Sequence, residues 1–91
     1  MTIPGKLQSY LASGKPIIAS LNGIGAEIIK DSNSGFVSNS ENINDFVNSI
    51  ISFNKLSDHK RQEFGLNGRK YFEKEFERSK LLKRLIDIFK Q

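Results

Sequence analysis

Cysteine is absent from this 91-residue chain, and histidine occurs once, as His59. The first absence excludes a disulfide framework and thiolate metal sites, and the second leaves no histidine cluster for a catalytic zinc or a Ser-His-Asp triad. Neither a metal site nor a cofactor is expected. Long hydrophobic runs are missing too. None approaches the ~20 residues that cross a bilayer, and the N-terminus has neither the charged start nor the apolar block of a signal peptide. The expected compartment is the cytoplasm. Charge of a single sign is also scarce at the local level. Lys and Arg gather after residue 54, but Asp58, Glu63, Glu73, Glu75, Glu77 and Asp87 are interspersed among them. Mixed-sign helix faces therefore account for most of the net charge of +4, and no nucleic-acid partner is expected. Peripheral contact with an anionic membrane surface stays open.

What is present is the composition of a globular chain. With 37% hydrophobic residues and seven Phe, the sequence lacks the depletion that marks disorder. Its length allows one domain with a small core, since chains of this size bury only ~60 to 65% of the surface they expose when unfolded.

The hydrophobic pattern orders the chain into alternating elements. Leu7, Tyr10 and Leu11 line one face of a short helix entered through Pro4-Gly5 and capped by Gly14. Lys15-Pro16 then breaks it, and the apolar run Ile17-Ile18-Ala19 reads as a strand over 16–20 buried on both faces. Asn22-Gly23-Ile24-Gly25 reads as a turn, Ala26 to Lys30 as a helix ending near Asp31 to Gly35, and Phe36-Val37-Ser38 as a second strand. Strand, helix, strand with so short a crossover implies a parallel pair. Ser40 is an expected N-cap for a helix carrying Ile43, Phe46, Val47, Ile50 and Ile51. Ser57-Asp58 opens the next helix, with Phe64, Gly68, Tyr71 and Phe72 inward, and a last helix carries Leu81, Leu82, Leu85, Ile86 and Phe89 after Glu77-Arg78-Ser79. Gly65 and Gly68 each cost a helix about 1 kcal/mol relative to Ala, which points to close packing against a neighbour or to a break. Tyr10, Leu11, Ile17, Ile18 and Val37 are assigned to the core and His59 to solvent. The expected class is α/β, a partial Rossmann-like unit of short parallel strands flanked by helices, with a helical C-terminal half.

The stretches KLQSYLASGKPIIAS (6–20) and NGIGAEIIKDSNSGFV (22–37) resemble the carboxyl-terminal domain of retaining, nucleotide-sugar-dependent glycosyltransferases of the GT-B fold, family 4. In that family a Pro-x-Lys-x-x-(Glu or Ser)-Tyr-x-x-x-Gly-Lys-Pro segment precedes a buried strand. SENINDFVNSI (40–50) looks like the helix that follows the next strand, and LNGRKYFEKEFERSKLLKRLIDIF (66–89) is similar to the closing helices. The Lys-x-Gln-Ser-Tyr form is most like enzymes of bacterial surface polysaccharide synthesis, including N-acetylfucosamine transferases of lipopolysaccharide O-antigen and capsule pathways. The resemblance implies that residues 1–91 form a single partial domain, the carboxyl-terminal portion of the domain that holds the nucleotide diphosphate.

The family's Glu-x7-Glu motif falls on Met1 and Ser9 here, so neither acid is present and no catalytic residue is assigned. A serine hydroxyl can bond a ribose hydroxyl without the charge that strengthens a carboxylate acceptor, so ribose contact is assigned to Ser9, helped by Gln8. Pro4-Gly5-Lys6-Leu7 offers helix N-terminal N–H groups plus a cation to a diphosphate; the bland alternative for Lys6 is a solvent-facing lysine. Gly23 and Gly25 are either a further diphosphate contact or simply a turn. Glu27 and Lys15 read as charges that suit helix ends.

The functional expectation is a carboxyl-terminal fragment of an enzyme that moves a sugar from a UDP-type nucleotide-sugar to a lipid-linked or polysaccharide acceptor. By itself the chain is expected to be inactive. The alternative is a non-catalytic, self-associating α/β module from a truncated reading frame, forming a homodimer through an unpaired edge of the Pro16 to Ser20 strand and the Leu81 to Phe89 stripe.

Overall fold

The computed structural model describes residues 4–90. Helix α1 spans Gly5–Ala12, strand β1 Ile17–Ser20, helix α2 Ile24–Ser32, strand β2 Gly35–Ser38, helix α3 Ile43–Asn54 and helix α4 Asp58–Phe89. β1 and β2 are parallel, in register from Ile17 opposite Gly35 to Ser20 opposite Ser38, with α2 as the crossover. The α/β class, the two short strands and the helical C-terminal half are as the sequence predicts.

α1 ends where Gly14 takes φ +71°, the left-handed turn that reverses the chain into Lys15-Pro16 and β1. Leu7 and Leu11 face inward and join Ile17, Ile28 and Ile29 in the core, with Ala19, Leu21, Val37, Tyr71 and Phe72 packed around them. Full burial of a side chain such as Leu11, which is 0% exposed, contributes about 2 kcal/mol. Tyr10 departs from expectation. It is 56% exposed, because on α1 it lies about 60° from Leu7 and turns toward the free edge of β1, where no described element covers it. Ile18 and Val37 are half-buried rather than enclosed, and β1 is not sealed on both faces. On the other face of the sheet, Phe36 meets Phe53 edge-on at 6.3 Å and Phe64 at 5.4 Å.

Two boundaries shift. α2 begins at Ile24, so Gly25 belongs to its first turn and not to the preceding loop. The N-cap of α3 is Asn42, whose side chain accepts the Asp45 N–H at 3.0 Å; Ser40 is instead bonded to Asn22.

The largest difference concerns the C-terminal half. The break expected at Glu77-Arg78-Ser79 is absent, and one 32-residue helix replaces the two predicted. Its first half crosses the amino-terminal ends of both strands. Gly65 is buried there, and a Cβ at that position would lie 2.1 Å from the Gly14 carbonyl oxygen. Gly68 faces Leu11 and Ser34. Close packing is therefore the reason for both glycines. The Asn67 side chain donates to the Asn33 carbonyl at 3.0 Å, and Arg69 Nη1 donates to the Ala12 carbonyl at 2.8 Å. Both turns that feed the strands are thus fastened to α4. Burial raises the Tyr71 hydroxyl above its usual pKa, with the carboxylates of Glu75 and Asp31 adding to the effect. From Phe76 to Lys90 every residue is exposed, and the helix overhang stretches the molecule to 54 Å in its longest dimension.

Candidate functional site

With α4 across the amino ends of the strands, the carboxyl ends form the free rim of the sheet. Open α/β sheets hold ligands outside this end of their strands. The rim is tied across by Asn22, which follows β1, and Ser40, which follows β2. Asn22 Nδ2 donates to Ser40 Oγ at 2.8 Å, and the Ser40 N–H donates to Asn22 Oδ1 at 3.3 Å.

α2 starts at this rim, and Lys6 and Leu7 of the first turn of α1 line a hollow together with Gly25 of α2. A Cβ at Gly25 would meet Leu21 Cδ1 at 2.7 Å and lie 3.9 Å from Leu7 Cδ2. The contact with Leu7 is an ordinary van der Waals one, so the missing Cβ makes room for the Leu21 side chain that follows β1. Neither N-cap, Pro4 nor Gly23, supplies a side-chain acceptor. Within α1 the helical ladder starts with the Gln8 N–H donating to Pro4, and within α2 with the Glu27 N–H donating to Gly23. The N–H groups of residues 5–7 and 24–26 lie ahead of those first bonds, giving each helix a partial positive end. Such an arrangement suits an anion. Glu27 sits in the first turn of α2, as the sequence suggests, and occupies part of that favourable field itself.

Gly23 has a second reason to be glycine. Its φ of 78° with ψ of −150° is a backbone region that side chains rarely enter.

Two hollows open beside the rim. The larger, about 540 Å³, runs along the free edge of β1 between Tyr10 and Ile18, with Lys6 and Gly25 on its wall. Its lining is largely apolar apart from the lysines. The smaller, about 290 Å³, lies between the start of α2 and the end of β2, among Asn22, Gly23, Glu27, Lys30, Ser38 and Asn39. Lys6 and Gly25 are therefore brought together, while Gly23 lies on the neighbouring hollow. Gln8 and Ser9 line neither. Both are exposed, with Gln8 on the flank of α1 away from Lys6, and Ser9 Oγ donates to the Gly5 carbonyl of its own helix at 3.4 Å. Met1 lies outside the described residues.

Sequence reasoning passed over Asn22 as a turn residue and Tyr10 as core. The Asn22 bond spans 18 residues and leaves no local signal. Tyr10 had one, since it stands one helical turn from Lys6 on the same flank. Among the described residues no group of three or more His, Cys, Asp or Glu could hold a metal ion. No helix among them is long and apolar enough to cross a membrane.

Comparison with known proteins found no match among curated proteins and none among solved structures. The sequence profile of the glycosyl transferases group 1 matches residues 4–71. That span runs from the N-cap of α1 through the packed half of α4 and contains every residue of the rim. It covers well over half of the 91 residues, and the chain belongs to the group 1 glycosyltransferases.

Proposed function

We propose that the chain is the carboxyl-terminal portion of the donor-binding domain of a retaining glycosyltransferase, of GT-B fold and family 4. Its enzyme transfers a sugar from a UDP-type nucleotide-sugar to a lipid-linked or polysaccharide acceptor, on the cytoplasmic side of the membrane, in cell-surface polysaccharide synthesis of the N-acetylfucosamine type. The observation that carries this reading is the uncapped N-terminus of α2 at the rim, beside a hollow that Lys6 and Gly25 line together. A diphosphate there accepts N–H groups from the first turns of α1 and α2 and is neutralised by the Lys6 ammonium. Gly23 and Gly25 let the backbone approach it, and Ser9, one turn from Lys6 on α1, serves the ribose, while Gln8 lies on the opposite flank and drops out of the site.

Binding a donor is not transfer. The reaction needs donor and acceptor held together in a cleft that excludes water, and one rim supplies only the donor's side. The 91-residue chain should therefore bind nucleotide without turning it over. Titrating UDP and a UDP-sugar into the isotope-labelled chain tests this. Amide shifts should appear at Lys6, Ser9, Gly23 and Gly25 at roughly millimolar ligand, the range of a weak partial site. Silence at all four positions removes the reading.

A second reading, a self-associating module without a ligand, is favoured by the free edge of β1.

A further inference from the structure

The exposed half of α4 carries a charge and an apolar pattern that the rim does not use. Residues 78–90 hold five basic side chains, Arg78, Lys80, Lys83, Arg84 and Lys90, against the single acid Asp87. The remaining nine basic and nine acidic residues of the chain cancel. The whole net charge of +4 thus belongs to this one segment, which corrects the reading of the basic half as mixed in sign throughout; the mixing holds over residues 55–77 only. At about 100° per residue, Leu81, Leu82, Leu85, Ile86, Ile88 and Phe89 share an arc of roughly 160°. Lys80, Lys83, Arg84, Asp87 and Lys90 occupy the opposite arc. All six apolar residues are exposed, Phe89 to 86%.

Half of this stripe continues the packed face: Leu82, Ile86 and Phe89 stand 18 residues, five full turns, beyond Phe64, Gly68 and Tyr71, while Leu81, Leu85 and Ile88 widen the apolar arc to one side. It lies outside the family match, which ends at Tyr71, before the helix leaves the body. An apolar protein face would bury the stripe without need of the cations. A negatively charged lipid surface takes both, burying the stripe at the acyl boundary while the basic arc meets the headgroups.

We propose that residues 78–90 form an in-plane docking helix for an anionic membrane surface. Phe89, Leu85 and Leu82 enter the interface, and Lys80, Lys83, Arg84 and Lys90 remain at headgroup level, their stems lying along it. The helix lies on the bilayer and does not span it.

The chain has no tryptophan, so Phe89→Trp gives a unique reporter. Its emission should shift to the blue with vesicles of phosphatidylcholine containing about 30 mol% phosphatidylglycerol and stay nearly unchanged with phosphatidylcholine alone. Raising the salt should reverse the shift. Adding Lys83→Glu and Arg84→Glu should weaken partitioning by at least about 25-fold, since each basic residue near such a surface contributes a factor of about five. Leu85→Gln should weaken it independently. All these positions are exposed, so thermal unfolding of each variant should match that of the parent chain. Three results would overturn the proposal: no partitioning into the anionic vesicles, partitioning unaffected by the charge reversals, or a blue shift that grows with protein concentration in the absence of lipid, which would mean that a second copy covers the stripe.

Discussion

Gly65 and Gly68 stand three residues apart on α4, in surroundings that differ in how far they can yield. A methyl group at Gly65 would press on the backbone of the Gly14 turn, which has no flexible end to swing aside. At Gly68 it would come to 3.1 Å from Ser34 Cβ and 3.3 Å from Leu11 Cδ2, where a few tenths of an ångström of adjustment suffice. Alanine gains about 1 kcal/mol of helix propensity at either site. Gly65→Ala should still lose about 2 to 3 kcal/mol net, because α4 must lift off the turn, whereas Gly68→Ala should stay within about 1 kcal/mol of the parent. Urea unfolding midpoints of the two variants separate these outcomes, and equal losses would contradict the geometry. That the glycines mark close packing is readable from their cost in a helix. That Gly14 is the partner is not, since nothing local links positions 51 residues apart.

At the scale of elements, the legible parts are those whose signal is local. The strands, the crossover helix and the existence of α3 follow from short-range pattern, whereas Ile43, Val47 and Ile51 on the expected inner face of α3 are exposed. Ser40 misleads because Ser-Glu is as good a local cap as Asn42 provides, and a bond to Asn22 across the rim takes it away. α4 misleads for a different reason. Glu77-Arg78-Ser79 puts three polar residues between its two apolar stripes, which on paper looks like a helix boundary, yet no glycine or proline follows Gly68 to interrupt the backbone. One stripe answers to the body and the other does not. The overhang should therefore be energetically separate from the fold. A chain shortened to end at Glu77 should keep its unfolding free energy in urea to within about 1 kcal/mol, and amides beyond Ser79 in the full chain should exchange far faster than those of the packed half. Cooperative loss of structure on truncation would show that the overhang supports the core.

For the whole molecule, the rim is a product of topology. Lys6 and Gly25 are individually readable as candidates, but their meeting requires that α1 run back along β1 and that α2 begin beside it. The same topology leaves one edge of the sheet open. The N–H groups of Ile17 and Leu21 donate to Ser34 and Ser38 of the β2 segment, so by the alternation of a parallel ladder those of Ile18 and Ser20 point the other way. An edge of this kind, bordered by an apolar groove, is a template for a further strand. A second copy of the chain can supply such a strand. Sedimentation should then report a mass that rises from monomer toward dimer with concentration, and a monomer throughout the range would refute the edge pairing.

The contact between Gly14 and Gly65 has a mechanical side. From Gly65 to Phe89, α4 extends about 36 Å at 1.5 Å per residue, and only its nearer part rests on the body. With the two glycines as fulcrum, a tilt of about 5° carries the tip through roughly 3 Å. The long arm multiplies leverage in the other direction as well: whatever holds the tip sets the angle at which α4 bears on the turn before β1, and through that turn the angle of the helix that carries Lys6.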